Sequence, residues 1–136
     1  IRLRTLLILL LVIAGPAAQA TSVAEAEGER LLLPNGKGGY ITWVPHSDMV
    51  AEIAPGTMRL SGPIAAPTWT TSFTFQGVGR NGRITSPWVS NSSSSSDTSL
   101  TWIGDHVQVE YLLEREGLRQ NFILAKREQG GGTLEV

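Results

Sequence analysis

Few residues of this chain have the types and spacing that chemistry requires. His46-Ser47-Asp48 holds the three residue types of a serine triad. A triad converges side chains from separate elements, which consecutive residues cannot do. A polar turn after Pro45 is the expectation. Asp105-His106 together with His46 offers two imidazoles and a carboxylate, a set that zinc or iron accepts. Nothing in their spacing fixes ligands, so no metal is expected. Gly77-Val78-Gly79-Arg80-Asn81-Gly82 fits G-x-G-x-x-G letter by letter. That fingerprint works only where a strand meets a helix N-terminus. Arg83 to Pro87 reads as extended, so a flexible hairpin loop is expected and no nucleotide. The chain is therefore read as a non-enzyme without cofactors.

Four tryptophans, Trp43, Trp69, Trp88 and Trp102, raise the possibility of sugar binding through aromatic stacking. Tryptophan also fills β-sandwich cores. Trp69 alternates with Phe73 and Phe75 and is assigned to the core. Trp43 and Trp102 lie in apolar runs. Trp88, after Pro87 and beside a serine run, is the one expected at the surface. Asn91-Ser92-Ser93 matches an N-glycosylation acceptor.

The elements that must position these residues fit one small domain, since 136 residues do not make two of ordinary size. The absence of cysteine excludes disulfides, thiolate zinc sites and a cysteine nucleophile. With 11 Lys+Arg against 12 Asp+Glu, the chain lacks the basic excess of a nucleic-acid binder.

Arg2 and Arg4 precede the apolar run Leu6 to Ala14, and Gly15-Pro16 and Ala18-Gln19-Ala20 follow it. This order is that of a signal peptide with cleavage after Ala20. The run is shorter than the roughly 20 residues that cross a bilayer. Residues 1–20 are thus expected to form a signal-peptide helix and to direct a secreted or cell-surface location, with no membrane contact after cleavage. Arg2 and Arg4 leave with it, so 9 basic residues stand against 12 acids. Residues 21–39 are expected to be a flexible leader, and residues 40–136 a β-rich domain.

Strand signals fill that domain. Tyr40 to Val44 is aromatic and β-branched. Val50 to Ile53 and Thr57 to Leu60 flank the turn signal Ala54-Pro55-Gly56. In Thr68 to Phe75, Trp69, Phe73 and Phe75 share one face, so one buried and one wet face are expected. Ile84 to Val89 contains Pro87 and suits an edge strand. Asn91 to Ser96 has no apolar residue and is expected to be a mobile loop. Leu100 to Ile103 resumes a strand, and Gly104-Asp105 is a candidate two-residue turn. No helical period with caps extends over ten residues. The expected fold is all-β, an antiparallel β-sandwich-like domain of seven to nine short strands. Its last strand begins at Thr133 and is expected to belong to a truncated domain.

The sharpest pattern is a hairpin. Val107, Val109, Tyr111 and Leu113 alternate with Gln108, Glu110 and Leu112, Glu114 to Gly117 turns, and Leu118, Gln120, Phe122 and Leu124 alternate with Arg119, Asn121 and Ile123. Pairing Leu113 with Leu118 places Val109 opposite Phe122 and Tyr111 opposite Gln120. Trp69, Phe73, Phe75, Val109 and Phe122 are predicted to form one buried cluster. Tyr111, Gly117, Arg119, Gln120, Asn121 and Phe122 are the candidate structural or binding residues, with a polar network among Tyr111, Arg119, Gln120 and Asn121.

Val109-Glu110-Tyr111 followed by Gly117-Leu118-Arg119-Gln120-Asn121-Phe122-Ile123 resembles a segment in the N-terminal regions of large secreted and cell-surface bacterial proteins. Many of these belong to Bacteroidota and use type IX secretion. The likeness spans residues 40–136 and is sharp over 107–126. It implies a non-catalytic N-terminal β domain acting as spacer, cap or adhesion module, with downstream domains as partners. Two alternatives stand beside it: an accessory domain of a secreted hydrolase whose catalytic part lies beyond Val136, and a carbohydrate-binding module.

Overall fold

The computed structural model describes residues 31–126 and 130–136. The expected signal peptide, and the leader up to residue 30, lie outside the described residues. Among the described residues twelve strands run in chain order: β1 (Leu33–Pro34), β2 (Tyr40–Val44), β3 (Met49–Ala54), β4 (Thr57–Gly62), β5 (Trp69–Thr74), β6 (Gly77–Arg80), β7 (Arg83–Pro87), β8 (Ser90–Ser95), β9 (Ser99–Gly104), β10 (Val107–Glu114), β11 (Gly117–Leu124) and β12 (Leu134–Glu135). No helix occurs among the described residues. The strands exceed the expected seven to nine because β1, β6 and β8 form where a leader and two loops were expected.

All pairings are antiparallel. One sheet has the order β1-β2-β3-β4-β5, a second β11-β10-β9-β8, and a third, small sheet β12-β6-β7. The sheets pack together as a β-sandwich-like fold. β10 shows why: its residues alternate buried and half-buried along its full length, the period that puts every second side chain on one face. Val107, Val109, Tyr111 and Leu113 thereby meet Ile53 of the first sheet, Leu100 and Trp102 of β9, and Val78 of β6 in one core. At 25–30 cal/mol per Å² of apolar surface removed from water, each such fully buried side chain contributes roughly 1.5–3 kcal/mol.

The hairpin has the register read from its alternation: Val109 pairs with Phe122, Tyr111 with Gln120 and Leu113 with Leu118. Its loop is shorter than expected, since Glu114 and Gly117 themselves pair and only Arg115 and Glu116 turn. The β9–β10 turn sits one residue later than expected, at Asp105-His106.

Three other expectations are corrected. Residues 31–39 are not a loose leader. Leu32 is buried and donates its N–H to the Asp97 carbonyl. Thr42 Oγ1 donates to the Leu31 carbonyl, and Asn35 Oδ1 accepts the N–H groups of Lys37 and Gly39. Asn91 to Ser96 is not a loop, because β8 occupies most of it. The strand needs little burial of its own, since its backbone pairs on one side with β9, whose Leu100 and Trp102 anchor the core. Ser95 adds a side-chain bond to Tyr40 Oη at 2.8 Å. The third is Gly77 to Gly82, where β6 and β7 pair directly and only Asn81-Gly82 turns. Both residues have positive φ, 51° and 72°, as a two-residue hairpin turn of matching twist requires.

Candidate functional site

The hairpin places the six motif residues on two faces rather than in one network. On the core side, Tyr111 is fully buried and its hydroxyl accepts a bond from Gln120 Nε2 at 2.9 Å. Burial pushes the Tyr111 hydroxyl up to about 12, and the Gln120 bond draws it partly back. The phenol therefore stays neutral at physiological pH. On the outer side, Asn121 Nδ2 donates to Glu110 Oε2 at 2.9 Å, and Arg119 pairs with Glu114 at 2.7 Å. The two-residue period of a strand separates Arg119 and Asn121 from Gln120 and Phe122. The expected single network is thus two separate sets of contacts. Gly117 opens β11 at φ 149°.

The other candidate chemistry dissolves into local structure. Ser47 Oγ donates to the Val44 carbonyl, and Asp48 Oδ1 accepts the Ile64 N–H, so both serve their turn. Asp105 accepts a bond from Asn91 Nδ2. Among the described residues, no group of three or more His, Cys, Asp and Glu side chains could hold a metal ion. Gly79 is glycine because a Cβ there would stand 2.2 Å from the Arg83 carbonyl oxygen. The close approach belongs to the irregular β6–β7 register between Val78 and Gly79, and serves strand packing rather than a phosphate.

The tryptophans exchange places with expectation. Trp69 is 42% exposed, whereas Trp88 is half-buried and packs at a tilt of 57° against Phe75 with centroids 5.2 Å apart. The predicted cluster is also split. Phe75 and Val109 are buried, but Phe73 is 50% and Phe122 37% exposed. The cause is where the sheets end. Phe73 pairs with Met58 and Trp69 with Gly62, so both lie on the core-side face of the first sheet. β5 is the last strand of that sheet and β11 the last of the second. No strand of the opposite sheet covers Trp69 or Phe73.

Between these two ends lies a groove of about 590 Å³, walled by Phe73 and Phe75, by Ile84 of β7 and by Gln120 and Phe122 of β11. Phe75 and Phe122 meet at its floor with ring centroids 4.9 Å apart. Arg83 and Glu135 stand at its rim, and Glu135 accepts the Gly82 N–H at 3.0 Å. The volume falls within the range of small-ligand sites, and the lining is mixed: the rings of Phe73, Phe75 and Phe122 share it with Ser72, Thr74, Gln76 and Gln120. Alternation alone marked Phe73 and Phe122 as inward-facing. The missing signal was strand order, which the sequence does not carry. Comparison with known protein families, with characterised proteins and with solved structures finds no match to this chain.

Proposed function

We propose that this chain is a non-catalytic β domain of an exported bacterial protein, with an adhesion role exercised through the groove between β5, β7 and β11. One observation carries the reading: the groove presents Phe73, Ile84 and Phe122 at a third to a half exposure while the neighbouring core is closed. Exposed apolar clusters framed by polar groups mark contact sites. The charged side chains in the lining are Arg83 and Glu135. The export assignment, and with it the secreted or cell-surface location, rests on Arg2 to Ala20. The likeness to type IX secretion proteins rests on the Val109 to Ile123 string.

A carbohydrate ligand is a second reading. It is favoured by the aromatic rings of Phe73 and Phe122 beside the amides of Gln76 and Gln120 in the same groove. Binding of the chain to a panel of soluble polysaccharides and to intact cells tests both. The adhesion reading expects retention on cells that Phe122→Ala and Ile84→Ser abolish, and polysaccharide competition marks the sugar case. Retention unchanged by both substitutions overturns the groove as the contact.

A further inference from the structure

We propose that β5 is the contact of a symmetric dimer, in which a second copy of this chain lays its own β5 antiparallel along the free edge and joins the two five-stranded sheets into one. All six residues of β5 are exposed, and among the described residues no strand pairs with its outer side. Natural edge strands are usually blunted by charge, proline, a bulge or shortness. Trp69 to Phe75 carries no charge, no proline and no glycine, and is built from threonine, serine and aromatic residues. An uncharged run of high β-propensity is what self-pairing strands share.

Neutrality selects a second copy as the occupant. A charged edge strand meets its own charge when it pairs with itself about a two-fold axis, and β5 meets none. On the neighbouring strand Arg59, opposite Ser72, pairs with Glu52 at 3.5 Å.

The register is also self-complementary. The Phe75 N–H donates to the Gly56 carbonyl beside β4. Antiparallel alternation then spends the backbone groups of Phe73 and Thr71 on β4 and leaves those of Thr70 and Ser72 on the free side. With Thr71 on the two-fold axis, Thr70 of one copy exchanges hydrogen bonds with Ser72 of the other. Trp69 of each copy then stands opposite Phe73 of the other, in the pair type where side chains approach most closely. These are the two large apolar residues of the strand left exposed on the core-side face, at 42% and 50%, with Thr71 between them. Each buries the other, twice by symmetry, and the contact closes on itself. The opposing Trp69 also stands beside Phe73 at the groove mouth, so the second copy completes that wall. The other long edge, β11, carries Arg119 and is already half-buried along much of its length.

Light scattering after size exclusion, over a dilution series of the purified chain, reads the mass directly. The expected result is twice the chain mass at high concentration. Thr71→Lys, which places two ammonium groups at the axis, weakens the dimer by about tenfold or more. The chain has no cysteine, so Thr71→Cys creates a single possible link. The axial pair has a Cα separation within disulfide range, and mild oxidation should cross-link it, whereas Thr74→Cys, away from the axis, should not link. A chain that is monomeric throughout overturns the proposal. So does a dimer that Thr71→Lys leaves intact, equal linking of the two cysteine variants, or a monomer that binds only a foreign extended peptide at β5. Should Thr71→Lys not fold, the cysteine pair decides alone.

Discussion

The Tyr111–Gln120 pair allows the internal face of the hairpin to be tested by a double-mutant cycle. Tyr111 is fully buried, and its hydroxyl is bonded to Gln120 Nε2 at 2.9 Å, while Gln120 itself is half-buried at the groove. The two deletions are therefore unequal. Tyr111→Phe removes the hydroxyl and leaves an amide that can turn to water, at a cost of about 0.5–1.5 kcal/mol. Gln120→Leu leaves the buried hydroxyl without its partner, at a cost of about 1–3 kcal/mol, although the larger change is at the more exposed residue. Combining them removes the stranded group, so the double variant should be more stable than Gln120→Leu alone. The coupling is expected at about 1 kcal/mol, within the range for contacting residues. Urea unfolding at constant m-value reads all three variants. Additive losses, or a Tyr111→Phe variant more damaged than Gln120→Leu, would refute the reasoning.

Further predictions concern pH, core and turn. Burial holds the Tyr111 pKa near 12 against 10.0 in the unfolded chain. The folded state therefore keeps its proton longer, and the associated stability, on the order of 2–3 kcal/mol, is present below pH 10 and lost as pH rises towards 12. Alkaline unfolding of the chain and of Tyr111→Phe should differ in that window, and identical curves would count against a buried phenol. Leu100→Ala, at a fully buried position, should cost about 2–5 kcal/mol, whereas Ile84→Ala, at 48% exposure, should cost well under half of that; equal losses by denaturant titration would mean that Ile84 is a core residue. Gly117→Val should cost about 1–3 kcal/mol through backbone conformation alone, because φ is 149° and no atom lies within 4 Å of the added Cβ. A neutral result there would mean the loop accepts another geometry.

The hairpin was legible because its information is local. Val107 to Leu124 alternates on both arms, and a slip of one residue would turn Phe122 away from the face of Val109. The strands around Pro55-Gly56 were legible for the same reason. What the sequence did not carry was the neighbour of each strand. Trp69 and Phe73 alternate as core residues do, yet they lie on the last strand of a sheet and stay 42% and 50% exposed. Ser90 to Ser95 failed in the opposite sense, because its order comes from the ladder to β9 and not from its own side chains. The candidate site inherits this division. Gln120 and Phe122 were singled out from the motif, while their convergence with Ile84 and Phe73 depends on the approach of three sheets.

The open groove is the claim on which the functional account rests, and solvent paramagnetic relaxation of side-chain protons measures it most directly. The account predicts strong enhancement at Ile84 and Phe122, which are 48% and 37% exposed, and almost none at Leu100 and Val109, which are fully buried. Protection of Ile84 and Phe122 equal to that of Leu100 and Val109 would mean a closed sandwich and would contradict it.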